Sequence, residues 1–318
     1  MIKNKKILIT GGAGFIGSHL FENLIQEGNN TIIIDNFNDY YSGKEEQIEE
    51  IIKKCSKSTE YSIIKGDLTQ ESIFNKIDRD IDIIFHLAAQ AGVRYSIEHA
   101  SEVTKNNIVS TVNIYEFALK NEIKKVVYAS SSSVYGNPIY TPLDEDHPKN
   151  PISPYAVSKL CGEFYADLYF KEYNLPVTSL RFYTVYGPRG RPDMAIRKFF
   201  KLILEDKEIS IYGDGEQLRD FTYVSDIIDG LILAGEKKEA IGQIFNLGCS
   251  NPIKVNKLVE KMYKIVGKTK NVRYIEKQKG DVDITYSNTK KANKILKYYP
   301  KIEIDEGLQK TYNWQRKL

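Results

Sequence analysis

The sequence predicts an α/β protein: a doubly wound parallel sheet with a smaller α+β domain interleaved at one end. Three observations carry that reading. Short β-branched runs alternate with helix-periodic segments through the first half; a glycine-rich turn directly follows the first run; and beyond about residue 180 the loops lengthen and Pro and Gly cluster. In order, KKILIT (5–10), TIIID (31–35), YSIIK (61–65), DIIFHLAA (82–89) and KKVVYAS (124–130) are apolar runs bounded by polar residues or glycine. Such runs suit strands buried on both faces. Between them, FIGSHLFENLIQEG (15–28) and residues 103–121 space their apolar residues as helices do. KEEQIEEIIKKCSK (44–57) reads as a solvated helix with charge pairs on its outer face, and SPYAVSKLCGEFYADLYFKEY (153–173) as a further helix. Alternation of this kind implies right-handed crossovers.

Residues 1–180 are expected to form the first domain and 181–318 the second. QIFNLG (243–248) again reads as a buried strand, so the chain is expected to return to the first domain over 223–248 before finishing. Clusters such as GPRGRP, YGDGE, NPIK and KGDVD mark the irregular second part.

With 318 residues, 42% of them hydrophobic and 27% charged, the chain can bury a large core. A net charge of +3 argues against a general nucleic-acid surface. No apolar run reaches the roughly 18–20 residues of a membrane span. The start, MIKNKKILIT, is basic and then apolar, yet it runs into GGAGFIG without a cleavage site, so a first strand is expected there. Cys55, Cys161 and Cys249 are scattered, and the four histidines form no metal-spaced pair. Reduced thiols, a cytoplasmic location and no metal are the expectation.

ILITGGAGFIGSHL places Gly11, Gly14 and Gly17 after a strand and at the start of a helix. Glycine lets the backbone turn tightly and approach a pyrophosphate, which the helix N-terminus stabilises. The second strand then ends at Asp35, where a carboxylate holds adenosine ribose hydroxyls and repels a 2′-phosphate. A Rossmann-type site for NAD is expected.

Tyr155 and Lys159 stand four apart on one helix face. YASSSSVYG closes the fifth strand, at the carboxyl edge where open α/β sheets bind ligands. An ammonium beside a phenol favours the phenolate, so the tyrosine pKa is expected to fall toward working pH and permit general-base action.

Glycine trio, strand-two Asp, SSSSVYG and Y-x-x-x-K together resemble an extended short-chain dehydrogenase/reductase. More narrowly, the chain resembles the NAD-dependent sugar-nucleotide epimerases and dehydratases over nearly its whole length. The resemblance implies Tyr155 as base, Lys159 lowering its pKa and holding the nicotinamide ribose, and Ser131 on the reacting hydroxyl. It implies NAD contacts at Gly11, Gly14, Phe15, Ile16 and Gly17, at Asp35 and Asn36, at Asp67 and Leu68 of KGDLT, and at Leu87, Ala88 and Ala89. In the second half, QLRDFTYVSD and KGDVD imply Arg219 on the substrate diphosphate and Asp281 on its ribose. Gln278 stands where the family often has an arginine.

Dehydratases and decarboxylases of the family carry acidic residues inside the stretch that here reads Ser132 and Ser133, which leaves simple epimerisation at carbon 4. YTVYGPRGRPDMA, DNFNDYYSG and AAQAGVRYSIE resemble the UDP-glucuronate 4-epimerases. Arg191, Thr184 and the serines would then hold the sugar carboxylate, since guanidinium forks match carboxylates. UDP-glucose, UDP-N-acetylglucosamine, a decarboxylation of UDP-glucuronate, a net dehydrogenase and a non-catalytic dinucleotide-binding protein stay open at this point. The resemblance also implies a homodimer, paired through helices near 100–120 and 153–173 with Tyr115, Phe117, Phe164, Tyr165 and Tyr169.

Overall fold

The computed structural model describes residues 2–55, 59–278 and 280–318. Its first half runs β1 (Lys6–Thr10), α1 (Phe15–Gln26), β2 (Asn30–Asp35), α2 (Lys44–Lys53), β3 (Tyr61–Lys65) and β4 (Ile83–His86). There follow α3 (Val93–Glu98), α4 (Ala100–Thr104), α5 (Ser110–Lys120), β5 (Val126–Ser131), α6 (Pro154–Tyr173) and β6 (Val177–Phe182). The second half begins with β7 (Thr184–Tyr186), α7 (Ala195–Leu204), β8 (Ile209–Tyr212), β9 (Leu218–Arg219), β10 (Phe221–Tyr223) and α8 (Val224–Glu236). It ends with β11 (Ile244–Leu247), β12 (Ile253–Lys254), α9 (Val255–Val266), β13 (Val272–Ile275), α10 (Lys290–Leu296) and α11 (Ile304–Gln315).

Among the described residues, seven strands form one sheet in the order β11-β6-β5-β4-β1-β2-β3, every pairing parallel. The order reverses between β1 and β4, and that switch point opens a crevice at the carboxyl ends of the strands. Alternate side chains feed two cores. Ile7, Ile9, Ile33, Phe85 and Val127 enter the core shared with α1, while Leu8, Ile32, Ile84, Val126 and Tyr128 enter the one shared with α5 and α6.

α6 has clear end signals. The Ser153 hydroxyl accepts from the Ala156 amide at 3.1 Å, Pro154 opens the first turn, and Asn174 ends the helix in left-handed geometry at φ 56°.

Several expectations are corrected. β3 is an edge strand with β2 as its neighbour, so Tyr61 and Ile63 are exposed rather than buried. The run DIIFHLAA stays a strand only to His86; Leu87–Ala89 leave the sheet as a loop. The helix expected over 103–121 does form, but it carries a π turn at Lys105–Val109, centred on buried Asn107. α2 stops at Lys53, and Ser56 and Lys57 of the expected charged helix lie outside the described residues. Tyr115, Phe117 and Tyr169, expected on an outer aromatic face, are buried in the core beneath α5 and α6.

Beyond β6 the chain forms small pairs: β7 with β10, β8 with β13, and β9 with β12. The strongly amphipathic α7 buries Ile196, Phe199, Phe200 and Ile203, and packs with α9 and α11. α8 lies against α1 and β4–β6, and β11 pairs with β6, so residues 224–247 rejoin the large sheet.

Candidate active site

The crevice at the carboxyl ends of β1, β2 and β4 gathers residues from many segments. Gly11, Gly14, Phe15, Ile16 and Gly17 line it from the first turn, Asp35 and Asn36 from the end of β2, and Asp67 and Leu68 from the loop after β3. Leu87, Ala88 and Ala89 line it after β4, Ala129 and Ser130 near the end of β5, Tyr155 and Lys159 on α6, and Phe182 and Arg191 beyond.

The turn is built to present backbone. A Cβ on Gly17 would lie 2.1 Å from the Gly11 carbonyl oxygen, so any side chain there would force α1 off β1. On Gly14 a Cβ would meet only that same oxygen at 3.1 Å, and would otherwise fill the crevice. α1 begins without a side-chain cap and without an acidic residue in its first turn, leaving its amides and the positive end of its dipole for an anion. Asp35 is held by the Ala13 amide at 3.1 Å and the Phe37 amide at 2.9 Å. Burial pushes its carboxyl pKa up, while those amides and Lys44 oppose the shift. Anion-binding amides and a fixed carboxylate across one groove suit a dinucleotide with a pyrophosphate and a free ribose.

Asn38, Tyr40, Tyr41, Lys44 and Gln90 also line the crevice. The segments DNFNDYYSG and AAQAGVRYSIE carry four of these, but nothing in their local spacing distinguishes a lining residue from a loop residue. Lys44 donates to the Asn38 carbonyl at 2.8 Å and stands over the Tyr41 ring.

At the reacting end, Ser131 is the last residue of β5. Its hydroxyl accepts from the Ser133 amide at 3.2 Å and the Ser133 hydroxyl at 2.9 Å. Tyr155 and Lys159 lie one turn apart on α6, and the Lys159 ammonium donates to the Ala129 carbonyl at 2.7 Å. Burial lowers the Lys159 pKa to about 7. It also raises that of Tyr155, against which Arg191 and the Ser131 hydroxyl pull downward. The expected fall of the phenol's pKa beside Lys159 is therefore corrected. The lysine is itself desolvated and turned toward a carbonyl, with its ammonium 5.9 Å from the Tyr155 ring centre, and Arg191 is the larger of the two opposing influences.

The three arginines of the 183–197 stretch separate. Arg189 donates to Glu22 at 2.6 Å and contacts His19, pinning its loop to α1. Arg197 donates to the Gly190 carbonyl and stacks over Trp314. Arg191 alone of the three lines the crevice, and its fork grips Asp193 at 3.0 and 2.9 Å. Thr184, expected beside Arg191, does not line the crevice; it lies in a separate small depression with Gly190, Met194 and Arg197.

Arg219 and Asp281 meet in a second cleft with Tyr212, Lys277 and Asp283. Arg219 donates to the carbonyls of Leu218 at 2.9 Å and Asp283 at 3.2 Å. Asp281 accepts from Arg94 at 3.0 Å, and that guanidinium lies 4.4 Å from the Tyr212 ring centre. No local pattern marks Arg94 for this contact: it sits in VRYSIE of α3, and its partner is 187 residues away. Among the described residues, no group of three or more His, Cys, Asp or Glu could hold a metal, and no helix is long and apolar enough to cross a membrane.

The chain has known relatives in sequence and in fold. The model of the NAD dependent epimerase/dehydratase family matches residues 7–248. A UDP-glucuronate 4-epimerase of Thermodesulfobacterium geofontis is 39% identical, over 97% of this chain and 95% of its own. The structure of a UDP-glucuronic acid 4-epimerase from Bacillus cereus, in complex with UDP-glucuronic acid and NAD, superposes with a TM-score of 0.91 at 35% identity, covering 98% of this chain and 99% of that one. A UDP-N-acetylglucosamine 4-epimerase from Methanobrevibacter ruminantium, in complex with UDP-N-acetylmuramic acid, is also similar, with a TM-score of 0.91 at 33% identity over 99% of both chains.

Proposed function

The chain belongs to the NAD-dependent epimerase/dehydratase family, and from that premise we propose that it inverts carbon 4 of a UDP-sugar, converting UDP-glucuronate to UDP-galacturonate. Arg191 carries the choice of sugar. Its guanidinium lines the same crevice as Tyr155 and acts on that phenol, so a cation stands beside the reacting centre. Glucuronate bears a carboxylate at carbon 6, which a guanidinium fork matches. Oxidation at carbon 4 makes the sugar a β-keto acid, and a carboxylate held by Arg191, Thr184, Ser132 and Ser133 loses carbon dioxide less readily.

In this reading Tyr155 takes the proton of the carbon-4 hydroxyl while Ser131 holds that hydroxyl in place. Lys159 would supply positive charge at the cofactor ribose. NAD held in this crevice would supply a reversible hydride acceptor at carbon 4, with no net redox change over the cycle. Gly11, Gly14 and Gly17 would hold its pyrophosphate with the first turn of α1; Asp35 and Asn36 would hold the adenosine ribose, and Asp67 and Leu68 the adenine. Phe15, Ile16 and Leu87–Ala89 complete its walls. In the second cleft Arg219 faces the sugar-nucleotide diphosphate and Asp281 the uridine ribose. Ser132 and Ser133 offer no carboxyl group, so elimination lacks its acid and base.

The fork of Arg191 already holds Asp193, which favours a second reading in which the substrate is neutral, UDP-glucose or UDP-N-acetylglucosamine. Proton NMR of products from a panel of UDP-sugars separates the two. UDP-galacturonate formed faster than any neutral epimer supports the first; a neutral sugar preferred by tenfold or so would sink it.

We further propose that the active form is a cytoplasmic homodimer. α6 leaves Val157, Phe164 and Leu168 exposed at intervals of seven and four, one apolar stripe on one face, which a second copy would cover.

A further inference from the structure

Three residues of α6, Tyr155, Lys159 and Glu163, follow at intervals of four and face the end of β5. Lys159 takes the Ala129 carbonyl at 2.7 Å, and Glu163 accepts from the Ser130 hydroxyl at 2.5 Å. The next residue of β5 is Ser131. Glu163 is in turn gripped by Arg181 of β6, Nε to Oε1 at 2.8 Å and Nη2 to Oε2 at 2.7 Å. The remaining arm of Arg181 donates to the Tyr135 hydroxyl at 2.8 Å and to the Glu145 carbonyl at 3.1 Å. Tyr135 closes the short turn that begins at Ser132. The network therefore holds the chain on both sides of Ser131, at Ser130 before it and at Tyr135 after it. α6 also lies unusually close to β5, since a Cβ on Gly162 would sit 2.1 Å from the Tyr128 hydroxyl.

Glu163 and Arg181 have side-chain exposures of 3% and 1%, and none of the chemistry above uses them. A buried ion pair is a poor source of stability, because desolvation consumes most of the Coulombic gain. Well-packed apolar residues would serve the core as well or better. The geometry instead relates the pair to the reacting groups.

We propose that Glu163 and Arg181 are positioning residues: through Ser130 and Tyr135 they set the register of α6 on β5, and so hold Ser131 opposite Tyr155. This rests on the carbon-4 chemistry proposed above. Small errors in such an alignment are expensive, a 1 Å misplacement costing about a hundredfold in rate.

Two variants test it on whichever UDP-sugar the wild-type enzyme turns over. Ser130→Ala removes the pin without uncovering a charge. Its kcat is expected to fall about tenfold or more with KM within about twofold, since alignment and not binding is lost. A kcat within about twofold of wild type overturns the proposal. The double variant Glu163→Met/Arg181→Met removes both charges together, so its thermal unfolding should stay close to wild type while kcat falls about a hundredfold. A stable double variant with wild-type kcat overturns the proposal, and should that variant not fold, Ser130→Ala decides alone. A crystal structure of either variant reads the register without substrate. A lengthened separation between the Tyr155 and Ser131 hydroxyls is expected, and an unchanged one overturns the positioning role. Wild-type enzyme that turns over no UDP-sugar would sink the functional reading, yet the crystallographic distance would still decide this one.

Discussion

Lys159 donates its ammonium to the carbonyl of Ala129 at 2.7 Å, which ties the second turn of α6, one turn after Tyr155, to the end of β5. An amine so placed is costly, since burial brings its pKa down from 10.5 to about 7. A hydrophobic residue would fit the core without that cost, so the lysine is kept for what it does in the crevice it lines.

Replacement of Lys159 by Met should therefore change stability with pH. The folded pKa lies below the unfolded one, so the unfolded chain binds more protons between about 7 and 10.5. The penalty is full below about 7 and is relieved as pH rises through that window, at about 1.4 kcal/mol per pH unit. Urea midpoints should favour Lys159→Met over wild type near neutrality, less the lost hydrogen bond, with the advantage gone near pH 10.5. A difference that stays flat across those pH values would show that the ammonium is not destabilised by burial.

Tyr155→Phe should leave the fold and NAD content intact and lower turnover by about two to four orders of magnitude. Steady-state rates beside absorbance of the bound cofactor provide the measurement. Activity within a few-fold of wild type would place the proton transfer elsewhere.

Arg191→Ala tests the sugar. A charge-assisted hydrogen bond to a desolvated carboxylate contributes about 1.5–3 kcal/mol, so kcat/KM for UDP-glucuronate should fall about ten- to a hundredfold. UDP-glucose, if turned over, should be nearly unaffected, and a decarboxylated 4-keto pentose should accumulate from the glucuronate reaction. Equal loss on both sugars without that product would make Arg191 a structural or diphosphate group.

Phe164→Glu tests the pairing face. Phe164 is 64% exposed, so the change costs the subunit little, while a carboxylate at the centre of the α6 stripe should oppose docking. Light scattering at micromolar concentration should return a dimer for wild type and a monomer for the variant. A wild-type monomer would end the dimer proposal.

Much of the frame was legible because local pattern sufficed. The β-branched runs at 5–10, 31–35 and 124–130 become strands β1, β2 and β5, since a parallel sheet covered on both faces demands continuous apolar sequence. Gly11, Gly14, Gly17 and Asp35 come together in one crevice because they flank the first crossover. YSIIK misled because an edge strand and a central strand share one composition, and only the neighbours distinguish them. Tyr115 and Tyr169 misled for a similar reason: an aromatic on a helix reports apolar surface, not which partner covers it.

By itself, the sequence determined what depends on spacing along the chain: the alternation that makes the sheet, the glycine turn, and the i, i+4 pair of Tyr155 and Lys159 on one face. Only the tertiary structure decided which charges meet and in what surroundings. It gave Arg191 to Asp193, Arg189 to Glu22, Arg94 to Asp281 and Arg181 to Glu163. It also decided that burial would raise the Tyr155 pKa and lower that of Lys159. Those outcomes rest on desolvation and on Coulomb interactions over a few ångströms, and both depend on what packs around a group rather than on what precedes it in the chain.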